Sequence, residues 1–301
     1  MFNISPREAL QTDPTHRLLM MATYEALEMA GYNPDSKLSE KFGTFIGMAT
    51  DDWREYNIRQ DIDIYYVTGG LRAFAAGRLN YHFKWDGPSY VIDTVCSSSA
   101  ASIELACAAL LKGSIDVAVA GGGNIMTGSN LFTGLSRGGF LSPTGSCKTL
   151  DEGADGYCRG DGVGVVILKR LEDAIVSNDN IQGVVRSIAT NHSSRAVSIT
   201  QPHAPTQQVL SQQVLREAGL GPDDINYVEM HGTGTQAGDT TEITSIVSTF
   251  GRGGRRDNPL YIGSVKSNIG HSEAVCFCAP IIILRFVNIY RRLAWPRSSN
   301  R

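Results

Sequence analysis

Apolar and small residues recur along one face of residues 13–31 and stop at Gly31, the pattern of an amphipathic helix with a glycine end. The short apolar run Phe42-Gly-Thr-Phe-Ile-Gly47 then reads as a buried strand. Helix and strand continue to alternate: a helix near 71–80, a strand at Ser89-Tyr-Val-Ile92, a largely buried helix over Ala100–Leu111, and a strand at Ile115–Ala120 that runs into Gly121-Gly-Gly123. Residues 124–159 are rich in Gly, Ser, Thr and Asn and read as a long ordered connection with short helical pieces, a kind of segment that in compact domains commonly carries function. A second alternation follows: strands at Gly162–Leu168, Gln182–Ile188, Ile225–Met230 and Leu260–Gly263, with helices near 170–177, 205–219 and 239–250. Short apolar strands separated by helices predict an α/β architecture with mostly parallel sheets between helical layers. The similar element order suggests two related βαβ-type halves, residues 1–150 and 151–273.

Composition narrows the class. The 301 residues are 42% hydrophobic and 19% charged, a globular balance, and the formal charge of −3 gives no electrostatic reason to expect nucleic acid or an anionic membrane as partner. The arginines of residues 252–256 and of the last seventeen residues read as a solvated loop and a tail. The apolar stretch Ala274–Leu284 contains Pro280 and ends at Arg285, too short to span a bilayer. Six cysteines, at 96, 107, 147, 158, 276 and 278, lack paired zinc-ligand spacing, so reduced thiols in a cytoplasmic protein without a metal are expected. Cys276 and Cys278 form only a C-x-C pair.

Three Gly/Ser/Thr-rich turns carry the candidate chemistry: Asp93-Thr-Val-Cys-Ser-Ser-Ser99, Glu229-Met-His-Gly-Thr-Gly-Thr235 and Val265-Lys-Ser-Asn-Ile-Gly-His271. Cys96 falls between a strand and a helix, where free N–H groups and the helix dipole favour an anion, so a lowered thiol pKa is expected. A lone cysteine after a strand also suits a small core position, but three serines beside it argue for exposure. His231 and His271 each read alone as satisfied core histidines; together with one thiol they suggest a nucleophile with two imidazole partners.

These segments, with Gly238-Asp239 and Glu242, resemble the three signature blocks of the β-ketoacyl synthase (ketosynthase) domain of polyketide and fatty-acid synthases, in the same order and at similar wide spacing. The resemblance runs from about Ser5 to Glu273. Phe132–Phe140, Asp155–Gly162, Asn191–Ser194 and His203–Thr206 look most like the iterative non-reducing polyketide synthases of filamentous fungi. The resemblance implies a thiolase-like fold whose active site lies where two α/β halves meet, incomplete at both ends here, with 274–301 matching nothing in the family.

It also implies roles. Cys96 would take an acyl group from a phosphopantetheine arm, and His231 and His271 would donate hydrogen bonds to the thioester oxygen of a malonyl unit during decarboxylative condensation. Lys266, otherwise a surface lysine, would support the site electrostatically, paired with Glu242, which alternatively reads as a helix-face acid favoured by the dipole. Thr233 and Thr235 would hold the pantetheine amides. No cofactor is expected to reside in the domain, since substrates arrive on acyl carrier protein. Expected partners are carrier-protein and acyltransferase domains of a larger synthase and a second copy paired along Ile115–Ala120. The competing readings are a Cys-His hydrolase, in which one histidine is a base, and an incompetent fragment or mis-spliced product of a synthase.

Overall fold

The computed structural model describes residues 2–33, 40–57, 62–251 and 259–278. The chain opens with α1 (Pro6–Gln11) and α2 (Pro14–Met29), then β1 (Phe42–Gly47), α3 (Asp52–Asn57), α4 (Tyr66–Gly70), α5 (Ala73–Phe83), β2 (Ser89–Ile92), α6 (Ser98–Leu111) and β3 (Val117–Asn124). α7 (Asn130–Arg137) is the helical piece of the long connection, and β4 (Gly162–Lys169), α8 (Leu171–Val176), α9 (Ala204–Ala218), β5 (Tyr227–Glu229), α10 (Gln236–Phe250), β6 (Tyr261–Gly263) and α11 (Lys266–Ile269) complete the order.

A four-stranded sheet in the order β2-β1-β3-β4 forms the first half, with β1 parallel to both β2 and β3. Every residue of β1 and β3 is buried, as their unbroken apolar and small character requires. Alternation along the strands divides the core. Phe42, Ile46, Val117 and Val119 face Leu19, Met20 and Leu27 of α2 and Leu79 and Phe83 of α5. On the opposite side Phe45, Ala118 and Ala120 meet Ile103, Ala106 and Leu110 of α6. Each fully buried Leu, Ile, Met or Phe contributes roughly 1.5–3 kcal/mol.

One glycine sets the distance between sheet and site. A Cβ on Gly47, the last residue of β1, would lie 2.7 Å from the backbone of Ser98 and Ser99. Its absence lets the first turn of α6, and the nucleophile turn before it, rest directly on the strand end.

Three sequence expectations about strand partners are corrected. Gly162–Lys169 does not open the second half: it pairs antiparallel with β3, Val117 opposite Lys169 through Asn124 opposite Gly162, and closes the first sheet. An apolar run carries no label for its partner or direction. Gln182–Ile188 forms no strand among the described residues. It runs along the end of α9, where Arg186 donates to the Ala218 carbonyl and Ser187 to Glu217. The second half therefore shows a two-stranded parallel sheet, β5 with β6, beside packed α9 and α10. Ile115–Ala120 is likewise not a free edge, because β3 has β1 on one side and β4 on the other.

Residues 141–160 join the halves. Thr149 donates to the Gly232 carbonyl at 2.5 Å, and the Gly156 N–H donates to the Gly234 carbonyl at 3.0 Å. Farther along, Arg159 and His271 form a backbone bridge.

Candidate active site

Cys96 occupies a single 3-10 turn, Val95–Ser97, between β2 and α6. The turn is tight enough to place Val95, a β-branched residue, at φ +54°. Such a position costs of order 1–3 kcal/mol and persists only when neighbours hold it. Asp93 accepts from the Val95 N–H at 3.1 Å, while the Ser98 hydroxyl accepts from the Thr94 N–H at 3.0 Å and donates to the Val95 carbonyl at 2.6 Å. Arg72 in turn ion-pairs with Asp93. Ser98 and Ser99 are thus fully buried, contrary to the expectation that the serines signal exposure. Ser98 is buried because the turn uses its hydroxyl in both directions; only Ser97 of the three is exposed.

The expected lowering of the Cys96 pKa is also corrected. Burial, and then the Glu273 carboxylate, push the thiol up to about 12 against the opposing Lys266 charge. In the resting site Cys96 is a thiol.

His271 Nε2 lies 3.1 Å from Cys96 Sγ. The histidine is pinned on both sides of its peptide: its N–H donates to the Cys158 carbonyl at 2.7 Å, and its carbonyl accepts from Gly160 N–H at 2.8 Å. Its Nδ1 accepts from the Glu273 backbone N–H at 3.2 Å. A nitrogen that accepts carries no hydrogen, so this bond sets the tautomer with hydrogen on Nε2, facing the sulfur. Burial, with His231, Lys266 and Arg159 nearby, depresses the His271 pKa to about 2, so the ring is neutral at any working pH. The side chain facing Cys96 is a neutral donor.

His231 follows β5, and its imidazole stands edge-on to His271 with ring centroids 5.3 Å apart. Burial and then Lys266 lower its pKa to about 3. Its main chain is held by Glu242, whose carboxylate accepts from His231 N–H at 2.6 Å and Gly232 N–H at 3.0 Å. Lys266 is 2% exposed, and its charge acts on Cys96, both histidines and Glu242. The expected close pairing of Lys266 with Glu242 is not formed: the carboxylate clamps the His231 turn, and the ammonium reaches it only through space.

Gly232 and Gly234 adopt φ +45° and +79°, which folds the turn so that Thr233 and Thr235 bring their hydroxyl oxygens within 3.4 Å of each other. The turn is anchored by Asp239, which accepts from the Gly234 and Leu150 N–H groups. Cys96, His231 and His271 present donor atoms within 4.8 Å of one another.

Several contributors were not foreseen. The Tyr157 ring packs edge-on against His271 at 5.0 Å and also lines an open cleft of about 950 Å³ with Phe132, Leu141 and Pro143. Arg159, fully buried, pairs with Glu273 at 2.9 Å. Residues 274–278, read as unrelated tail, pack on the site: Cys276 donates to the Cys96 carbonyl at 2.8 Å, and Phe277 stacks on His231 at 5.9 Å. Burial pushes the thiols of Cys276 and Cys278 up to about 12. Phe132, Tyr157 and Arg159 lie within the family-like segments Phe132–Phe140 and Asp155–Gly162, which is their signal in the sequence, whereas residues 274–278 have none beyond proximity to His271. Arg252–Arg256 and the arginines after residue 278 lie outside the described residues. Among the described residues no helix is long and apolar enough to cross a membrane.

Comparison with known proteins agrees with this geometry. Residues 1–174 match the family model of the beta-ketoacyl synthase N-terminal domain, and residues 182–284 that of its C-terminal domain. The second match extends past Glu273 into the segment that the sequence motifs alone mark as tail. A non-reducing polyketide synthase of Pseudevernia furfuracea is 63% identical over 91% of this chain, and the kotanin synthase of Aspergillus niger 54% identical over 98%. The chain spans 13% and 18% of those relatives. The ketosynthase from module 6 of the bacillaene synthase of Bacillus subtilis superposes with a TM-score of 0.87 at 36% identity, covering 95% of this chain and 50% of that one. With both family models matched across nearly the whole described chain and a solved ketosynthase sharing its fold, the protein belongs to the β-ketoacyl synthase family and has the thiolase-like fold of a polyketide synthase ketosynthase domain.

Proposed function

We propose that this chain is the condensing domain of an iterative, non-reducing polyketide synthase, joining an acyl group held on Cys96 to a malonyl unit. The observation that carries the reading is the hydrogen bond from the Glu273 N–H to His271 Nδ1, which assigns the ring hydrogen to Nε2. A Cys-His hydrolase needs a lone pair on the imidazole nitrogen facing the thiol, whereas here that nitrogen bears hydrogen and the ring has a pKa of about 2. The arrangement favours stabilising negative charge over removing a proton.

In the first step Cys96 Sγ attacks the carbonyl of an acyl thioester delivered on the phosphopantetheine of acyl carrier protein. The new S–C bond replaces the pantetheine S–C bond, and the thiol proton leaves with the pantetheine thiol. The Cys96 backbone N–H, before the N-terminus of α6, is a suitable donor to the oxyanion. A malonyl thioester then binds, with Thr233 and Thr235 as hydroxyl partners for the pantetheine amides. Its carboxylate leaves as carbon dioxide and the electron pair moves into the thioester as an enolate, whose oxygen receives hydrogen bonds from His231 and His271. The enolate carbon attacks the acyl carbonyl, and Cys96 departs as thiolate to be reprotonated. Lys266 offsets the negative charge that builds up during both steps.

Carrier-protein and acyltransferase domains are the partners this chemistry requires. Two copies would associate through the outer edge of β2, which pairs with no other strand among the described residues. Sedimentation as a monomer at micromolar concentration would count against that arrangement.

His271→Ala separates the readings. Loss of one positioned donor should slow carbon dioxide release from malonyl thioester by ~10²–10³, while acylation of Cys96, followed by intact mass, proceeds at a measurable rate. Equal loss of both half-reactions would identify His271 as a base and overturn the proposal.

A further inference from the structure

Val95 carries a strain that the chemistry above leaves unexplained. A β-branched residue at φ +54° is disfavoured roughly 5- to 150-fold in population. Packing does not offset it, since Val95 is 61% exposed. Half a turn of the Thr94–Val95 peptide about its flanking bonds would return φ to the extended region with little movement of the chain on either side.

That peptide is gripped at both ends. Its N–H, on Val95, donates to Asp93 Oδ1 at 3.1 Å, and its carbonyl, on Thr94, accepts from the Ser97 N–H at 3.3 Å and the Ser97 hydroxyl at 2.9 Å. Asp93 is held from behind by Arg72, which also pairs with Asp51 at 3.2 Å and donates to the Met48 carbonyl at 3.3 Å. The next peptide, Val95–Cys96, is gripped through its carbonyl, which accepts from the Ser98 hydroxyl at 2.6 Å. A trans peptide is planar, with its carbonyl and N–H pointing opposite ways. The bond from Ser98 therefore fixes the direction of the Cys96 N–H at the other end of the same unit. That N–H donates to no other residue among the described ones, and it favours the anionic form of its own sulfur. An unpaired donor beside the nucleophile is what the carbonyl oxygen of an acyl group arriving at Cys96 requires.

We propose that Asp93 and Ser98 are positioning residues that clamp the two peptides flanking Val95, so that the second holds the Cys96 N–H towards the acyl oxygen; the strain at Val95 is the consequence of this clamp. The inference deepens the condensing-enzyme reading and rests on it for its kinetic effect, whereas the orientation of the peptides does not depend on it.

The tests are Asp93→Ala, Ser98→Ala and the double variant Asp93→Ala/Val95→Gly in the full chain. Ser99→Ala is the control, because Ser99 is as buried as Ser98 but its hydroxyl has no partner. Acylation of Cys96 by an acyl thioester, followed by intact mass, reads the oxyanion donor. Release of carbon dioxide from malonyl thioester, whose enolate oxygen faces the histidines instead, reads the rest of the site, and nitrogen-15 NMR of cysteine-labelled protein reads the Cys96 amide. Without the Asp93 carboxylate the strained peptide turns over, so acylation falls about tenfold or more while decarboxylation stays within about threefold, and the Cys96 amide signal moves. Glycine takes a positive φ without strain, so the double variant regains acylation to within about threefold of the unaltered protein and its amide signal moves back. Ser98→Ala lowers acylation by a similar factor, and Ser99→Ala changes neither rate. The Asp93 side chain is 40% exposed, so its variants decide the matter if Ser98→Ala fails to fold. An Asp93→Ala protein that acylates at the unaltered rate, a double variant no faster than the single one, or equal loss of acylation and decarboxylation would overturn the proposal. Failure of the unaltered protein to acylate Cys96, with amide signals that follow the expected pattern, would instead refute the condensing function and leave the clamp standing.

Discussion

Gly47→Ala tests whether the end of β1 controls the nucleophile from beneath it. The added Cβ would sit 2.7 Å from the Ser98 carbonyl carbon and the Ser99 nitrogen and 2.9 Å from the Ser98 Cβ, where ordinary contacts begin at 3.4 Å. Two of these atoms are backbone, so no side chain can rotate away; strand and helix must separate by about 0.7 Å. Ser98 is also the residue whose hydroxyl grips Thr94 and Val95, which carry Cys96 against His271 at 3.1 Å. The displacement therefore passes directly into the Cys–His contact. Overpacking of this kind costs about 1–3 kcal/mol, and misplacing a reacting group by about 1 Å costs on the order of 10²-fold in rate. Urea unfolding should register the first effect. Condensation with an acyl and a malonyl thioester should register the second, with the loss divided between acylation and carbon–carbon bond formation because Cys96 serves both. An alanine variant that unfolds at the unaltered midpoint would refute the packing argument. One that is destabilised yet condenses at the unaltered rate would refute the coupling of strand end to nucleophile.

Two further outcomes follow from buried titrating groups. His16 of α2 is fully buried, and burial followed by the Arg78 charge depresses its pKa to about 3. The native ring stays neutral where the unfolded ring gains a proton, so its contribution is complete above about pH 6.5 and shrinks as pH falls towards 3, by about 2 kcal/mol at pH 5. Replacing His16 with Leu should flatten the acid limb of stability by that share; urea midpoints that fall in parallel for both proteins between pH 7 and 5 would refute it. Cys96, with its thiol near 12, should react with a small alkylating agent at a rate that keeps climbing above pH 9, and Glu273→Gln should move the curve to lower pH by removing the carboxylate that raises it. A plateau with a midpoint below pH 7 would show that the helix end dominates after all.

Much of the architecture was local and hence readable in the sequence. β1, β2, α5, α6, α9 and α10 form close to where apolar periodicity and glycine breaks put them, because short-range backbone preference and one-sided burial act on neighbouring residues. The three Gly/Ser/Thr turns were legible for a similar reason: glycine takes the positive φ of Gly232, Gly234 and Gly270 without strain. What tertiary structure decided is everything that depends on a partner far along the chain. Apolar periodicity could not tell that Gly162–Lys169 runs antiparallel beside β3, or that Gln182–Ile188 finds no strand beside it among the described residues. A helix terminus predicts a reactive thiolate, but folding also buries Cys96 and sets the Glu273 carboxylate near it, and the desolvation that results is a property of the assembled site. Arg159 and Glu273 stand 114 positions apart with nothing in either neighbourhood to pair them. Sequence placed one thiol and two imidazoles in suitable turns; which nitrogen bears the hydrogen was settled by the Glu273 N–H, which reaches His271 Nδ1 only in the folded backbone.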